Sequence, residues 1–249
     1  MNKIIRAIAS VVFLTVFVVS AIKIATYFIK QNEAKDLYND MFSQAVTVTE
    51  TENTNSTVPQ TEFENQKLEI DFDSLAGVYK DITGWIYSPN TKINYPVVKS
   101  NDNSEYLKIM PNGKYNPAGS IFVDCKNGNL GDERNYIIYG HNMKNDTMFG
   151  SLSEYKKQSF YEKHPVIYYI TPEKKYTLKI FAGFVTSATS DCYVINHTEA
   201  SLTEYIVAAK QKSTFKSTAT YTKGDNIVTL STCSSDYDDA RYVLIAILS

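Results

Sequence analysis

No two of the three cysteines stand at metal or redox spacing. Cys125, Cys192 and Cys233 lie far apart, and there is no CxxC and no Cys/His cluster, so the sequence offers neither a zinc site nor a dithiol pair. An odd number leaves at least one free thiol. Three cysteines in 249 residues are also too few for a disulfide scaffold. Arginine is scarce as well: Arg6, Arg134 and Arg241 stand against 22 lysines. The first 30 residues have no acid and four bases, Lys3, Arg6, Lys23 and Lys30. The remainder therefore carries 21 bases against 27 acids, which is not the balance of a nucleic-acid-binding protein. An acidic body behind a basic, apolar leader points to export or to a membrane. Nothing in the residues present calls for a metal or a cofactor.

What is present begins with residues 4–29, apolar apart from Arg6, Lys23 and a few small polar residues. With Lys23 snorkelling, about 23 residues are available to cross the hydrocarbon core. A cleaved signal peptide is the alternative, with Val19-Ser20-Ala21 as the candidate cleavage site, but the apolar run continues past it. The positive charges at the two ends nearly balance and give only a weak preference for a cytoplasmic N-terminus. The expected organisation is an anchor over 1–30, a juxtamembrane helix and linker over 31–67, and a folded head over 68–249. Within the second segment, Thr47–Gln66 is rich in Thr, Glu and Asn and has no base, a linker composition.

The whole sequence is 43% apolar and rich in tyrosine (19) and phenylalanine (12); that content is sufficient for a substantial core, and the aromatics favour strands. Asp71-Phe72-Asp73-Ser74 opens a short capped helix. Trp85–Tyr87 and Ile93–Val98 flank the turn Ser88-Pro89-Asn90-Thr91 and read as a hairpin. Further strands are expected at Ser120–Val123, Tyr136–Tyr139, Val166–Ile170 and Tyr176–Thr186, with helical pieces over Met148–Tyr161. Ser201-Leu202-Thr203-Glu204 is a capping-box pattern. Its helix would bury Leu202, Tyr205, Ile206 and Ala209. Short strands with few helices predict a mostly antiparallel β-barrel with helical insertions.

The most informative stretch is Asn226–Arg241, NIVTLSTCSSDYDDAR. Ile227–Leu230 is a buried-strand pattern, Cys233 falls where it ends, and Arg241 opens the next apolar run. A thiol and a guanidinium at facing strand ends make a rigid, partly exposed, electropositive place, which a reactive cysteine needs. The fixed donor fork of Arg241 suits a carbonyl or an oxyanion. Asp236, Asp238 and Asp239 read as a solvated loop tip. His141, in Tyr139-Gly140-His141, also leaves a strand end and is the best-placed partner for Cys233, whereas His164 and His197 lie in polar connectors. On position alone, a merely solvated His141 remains open. Cys125 and Cys192 belong to no nucleophile motif.

Leu230-Ser231-Thr232-Cys233, the trailing Arg241 and Tyr139-Gly140-His141 together resemble the sortases, cysteine transpeptidases of Gram-positive cell surfaces. Gly84-Trp85-Ile86, Tyr95-Pro96-Val97, Gly119–Phe122, Asn145–Phe149 and the helix before the cysteine strand are closest to class B. The resemblance implies an eight-stranded sortase barrel with Cys233, His141 and Arg241 as the catalytic group. It implies a substrate groove from Asn103 and Leu107 on one wall, Thr189, Tyr193 and Val194 on the segment entering the inserted helix, and Ser231 beside the cysteine. The family often has Ile where Val194 stands and an acid where Ser234 stands. Implied partners are exported proteins bearing a C-terminal sorting signal, a peptidoglycan or lipid-linked precursor amine, and the membrane. A surface cysteine peptidase and a non-enzymatic wall-binding head are the competing classes.

Overall fold

The computed structural model describes residues 3–50 and 66–249; most of the segment read as a linker, residues 51–65, lies outside them. Two compact units are present, one up to Asp40 and one from Met41 onward. α1 is a single helix, Lys3–Ala45, and its N-terminal part is long and apolar enough to span a membrane. Ile4, Phe13, Phe17 and Phe28 are exposed around it, a distribution suited to lipid rather than to a protein core. The hydroxyls of Ser10, Thr15 and Thr26 each donate to a carbonyl one turn earlier, Arg6, Val11 and Ile22. These three hydroxyls therefore enter an apolar medium with their donors satisfied.

Beyond the last turn of α1, the second unit continues with β1 (Val46–Glu50) paired antiparallel to β2 (Gln66–Ile70), so both borders of the linker segment are strands. α2 (Phe72–Ala76) follows, with Asp71 capping it by accepting from the Ser74 amide at 3.0 Å. Then come β3 (Ile82–Tyr87), β4 (Asn94–Val98), β5 (Ile121–Val123) and β6 (Asn135–Tyr139). A 3₁₀ stretch (Gly150–Lys156) and α3 (Gln158–Lys163) lead to β7 (Val166–Ile170) and β8 (Lys175–Ser187). α4 (Glu199–Lys212) precedes β9 (Ile227–Cys233) and β10 (Ala240–Leu248).

The strands from β3 to β10 close into a barrel in the order β10-β8-β7-β3-β4-β5-β6-β9, the mostly β fold expected. Closure leaves the barrel itself no open edge. Six of the eight junctions are antiparallel; β4–β5 and β6–β9 are parallel. The second parallel pair decides where the site lies, because the ends of parallel neighbours leave the sheet on the same side.

α4 packs Leu202, Ile206 and Ala209 with Phe181 and Phe184 of β8 and Val243, Ile245 and Ile247 of β10. Burying a Leu or Ile side chain in this way stabilises by roughly 1.5–3 kcal/mol. The cap of α4 differs from the capping-box reading. Thr198, not Ser201, stands at the cap: its hydroxyl accepts from the Ser201 amide at 3.1 Å, and its carbonyl accepts from Leu202. Two hydroxyl residues three apart compete for the position, and Thr198 holds the extended backbone that a cap requires.

Candidate active site

Cys233 is placed by its neighbours on both sides. In the parallel pair, Tyr139 of β6 registers with Ser231 of β9. His141 and Cys233 each lie two residues beyond that pair and so leave the barrel together. In the antiparallel pair, Arg241 of β10 registers directly with Cys233. Adjacent strands are about 4.8 Å apart, so three neighbouring strands deliver an imidazole, a thiol and a guanidinium to one end of the barrel. Tyr242 and the rest of β10 are buried almost without break to Ile247, which makes the support for Arg241 rigid.

The connections hold this arrangement. The Gly140 amide donates to the Ser231 carbonyl at 3.1 Å, and the Thr232 hydroxyl donates to the Gly140 carbonyl at 2.7 Å. Asn142 Nδ2 donates to the Cys233 carbonyl at 2.8 Å. Gly140 has no room for a side chain: a Cβ would lie 2.4 Å from Ile121 Cδ1 and 2.7 Å from the Phe149 ring. The chain can therefore pass tightly beneath His141 only as glycine. His141 Nε2 lies 2.6 Å from the Leu107 carbonyl oxygen. A carbonyl only accepts, so Nε2 carries the proton and Nδ1 is the nitrogen left for a reacting group.

A cleft of about 310 Å³ opens here, lined by Asn103, Leu107, Tyr193, Ser231, Arg241 and the Cys233–His141 mouth, with Phe122, Tyr139 and Ala188 beside them. Tyr193 stacks on Tyr139 with ring centroids 6.1 Å apart, and its hydroxyl lies 2.8 Å from Ser231 Oγ. Seven of the nine residues predicted for the site thus line one cleft. Thr189 and Val194 are not on its lining; Val194 borders a neighbouring cleft against α4, and Thr189 is hydrogen-bonded to Ser187. The sequence reading named Tyr139 only as part of a motif and passed over Asp124, whose carboxylate ties two cleft residues together. Its one signal was a carboxylate ending the apolar run Ile121-Phe122-Val123.

The loop after Cys233 has its carboxylates outward, as the sequence suggested. Asp236 pairs with Lys156 at 2.6 Å and accepts from Ser234; those contacts hold its carboxyl below its ordinary range. Among the described residues, no group of three or more His, Cys, Asp and Glu is placed to hold a metal. The three thiols are free and differ in access: Cys233 exposed, Cys125 intermediate, Cys192 buried. Burial pushes the Cys192 thiol up to about 11, against a smaller opposing hydrogen bond from Ser190. Little thiolate forms there at neutral pH. Iodoacetamide followed by peptide mapping should therefore modify Cys233 first and Cys192 last, with Cys192 labelled appreciably only near pH 11 or on unfolding. Early loss of Cys192 would contradict this placement.

A closed barrel that gathers a thiol, an imidazole and a guanidinium beside a cleft has the parts of a cysteine enzyme that works through a covalent acyl intermediate. The sortase domain matches residues 86–249 of the chain. Sortase B of Staphylococcus aureus (strain NCTC 8325 / PS 47) is 37% identical over 179 residues, covering 70% of this chain and 73% of that protein. A Staphylococcus aureus sortase B–substrate complex superposes with a TM-score of 0.67 at 35% identity, over 72% of this chain and 84% of that one. Sortase B from Bacillus anthracis in complex with AAEK1 gives 0.73 at 32% identity, over 89% and 98%. The chain belongs to the sortase family, in class B. Sortases are associated with the cell surface, and α1 is consistent with a membrane anchor.

Proposed function

We propose that the cleft receives the C-terminal sorting motif of exported proteins and that Cys233 cleaves it at the threonine carbonyl. The Cys233 thiolate attacks the carbonyl carbon and forms a tetrahedral intermediate. Arg241, its register partner, faces the developing oxyanion or positions the threonine. As the C–N bond breaks, His141 in its imidazolium form gives the departing amine its proton through Nδ1, while Leu107 holds Nε2. A thioester on Cys233 remains. An incoming amine, from peptidoglycan or its lipid-linked precursor, loses a proton to His141 and attacks the thioester. Collapse of the second tetrahedral intermediate forms the new amide and expels the Cys233 thiolate, so the thiolate–imidazolium pair is regenerated and proton and acyl group are both accounted for.

The observation that carries this reading is the strand register that brings His141, Cys233 and Arg241 to one barrel end beside a peptide-sized cleft. The substrate complex of the Staphylococcus aureus relative supports a peptide donor. Asn103 and Leu107 form one wall, Tyr193 and Ser231 the other, and Thr189 and Val194 an outer contact for a longer substrate. With the N-terminus cytoplasmic, α1 crosses the cell membrane once and the barrel faces the cell wall. The organisation proposed is anchor 1–30, spacer 31–67 and catalytic domain 68–249. A panel of quenched peptides, with NPQTN-type motifs and other Pro-x-Thr sequences, tests the reading with and without an amine acceptor. Cleavage with amine-dependent ligation is expected. Hydrolysis indifferent to amine would make the protein a peptidase, and no cleavage of any peptide would remove the proposal.

A further inference from the structure

Asp124 follows β5 directly, is only 6% exposed and has no part in the chemistry above. Three donors converge on its carboxylate. Asn103 Nδ2 and the Tyr139 hydroxyl both donate to Oδ2, at 2.9 and 2.8 Å, and the Lys126 amide donates to Oδ1 at 2.9 Å. The backbone fixes Asp124 in turn, its amide donating to Ile137 and its carbonyl accepting from Asn127.

Both side chains it holds belong to the cleft. Asn103 is constrained at both ends, since its Oδ1 accepts from the Cys125 amide at 2.8 Å. That contact and Asp124 together forbid an amide flip, and the second Nδ2 hydrogen is left for the cleft. Tyr139 is sandwiched between Phe122, at 5.3 Å, and Tyr193, which reaches Ser231 beside the nucleophile. Burial, then the Asp124 charge, holds the Tyr139 phenol well above its ordinary range, so it stays a donor to that carboxylate.

We propose that Asp124 is the positioning residue of the substrate cleft, orienting the Asn103 amide and the Tyr139 ring for the peptide donor. The proposal rests on the reading that this cleft binds the sorting peptide. Asp124 acts on binding through Asn103, and the thiol does not depend on it. An amide cannot replace the carboxylate here. With its oxygen toward Asn103 and Tyr139, its NH₂ opposes the Lys126 amide; turned over, it opposes the Asn103 NH₂ and drives the flip that the Cys125 amide forbids.

The test is a double-mutant cycle in the full-length enzyme with Asp124→Asn and Asn103→Ala. It measures kcat and KM for a quenched NPQTN-type peptide and the iodoacetamide rate at Cys233. D124N should raise KM about tenfold, leave kcat within about threefold and leave the alkylation rate unchanged. In KM the double variant should exceed N103A alone by no more than the Tyr139 share, about threefold, well short of the product of the two single effects, because coupled residues are not additive. If D124N loses its native near-ultraviolet circular dichroism, Tyr139→Phe is measured in its place; it removes only the phenol bond to Asp124, and an approximately threefold rise in KM with an unchanged alkylation rate at Cys233 is expected. An unchanged KM, independent effects in the double variant, or a matched fall in kcat and thiol reactivity would overturn the proposal. No cleavage by the wild-type enzyme would instead remove the underlying reading, and this proposal with it.

Discussion

Cys233→Ala should abolish turnover, lowering kcat for the sorting peptide by at least about 10⁴-fold, while the barrel remains folded. The reaction proposed passes through a covalent bond to Sγ, and no other thiol can replace it: Cys125 lies in the loop after β5 and Cys192 is buried. Loss of the nucleophile in a triad-like site removes nearly all of its catalytic power. The fold should tolerate the change because Cys233 is exposed and its backbone carbonyl, not its thiol, receives the Asn142 bond. Peptide should still bind, since the cleft walls belong to other elements. His141→Ala should also remove turnover without restoring a second route, and the two losses should fail to multiply, as expected of groups acting as one unit. Single-turnover cleavage assays on the full-length enzyme, with circular dichroism as the fold control, measure both. Cleavage surviving in C233A would contradict the mechanism.

Arg241→Ala should cost about 10²–10³-fold in kcat/KM, the size associated with losing one preorganised oxyanion donor. Arg241→Lys should recover less than a tenth of the wild-type value. A lysine keeps the charge but not the planar fork, and geometry is what β10 supplies. The side chain is half-buried, and its Nη1 donates to the Ala240 carbonyl at 3.0 Å, which orients the fork from its own strand. The alternative is a guanidinium that only makes the thiol more acidic. In that case lysine would substitute well, and raising the pH would restore the alanine variant. Neither is expected of a guanidinium that acts through its fork. Steady-state kinetics of the three proteins across pH separates the two roles.

The sequence made the β9–Cys233–Arg241 arrangement legible for a local reason. A β-branched run ending in a thiol, a short polar loop and a second apolar run is a hairpin pattern, and an antiparallel hairpin places its two loop-flanking residues face to face. The structure pairs them in register. His141 was less legible. Its place beside Cys233 depends on the parallel pairing of β6 with β9, strands about 90 residues apart, and nothing local tells which distant strands will pair. The resemblance to sortases supplied that link. Asp124 was hidden for another reason: a lone carboxylate after an apolar strand looks like a loop residue until the donors of Asn103 and Tyr139 are brought to it from two other segments. The α4 cap shows a smaller limit. Thr198 and Ser201 carry the same chemistry, and only backbone conformation selects between them.

Acyl transfer through a thioester on Cys233 is tested most directly by the intact mass of the full-length enzyme, acid-quenched during turnover of an NPQTN-type peptide. The expected result is a mass increase equal to the acyl fragment ending in threonine, mapped to Cys233, absent in C233A and discharged faster when an amine acceptor is added. Rapid peptide cleavage with no adduct at any quench time, or an adduct on another residue, would contradict it.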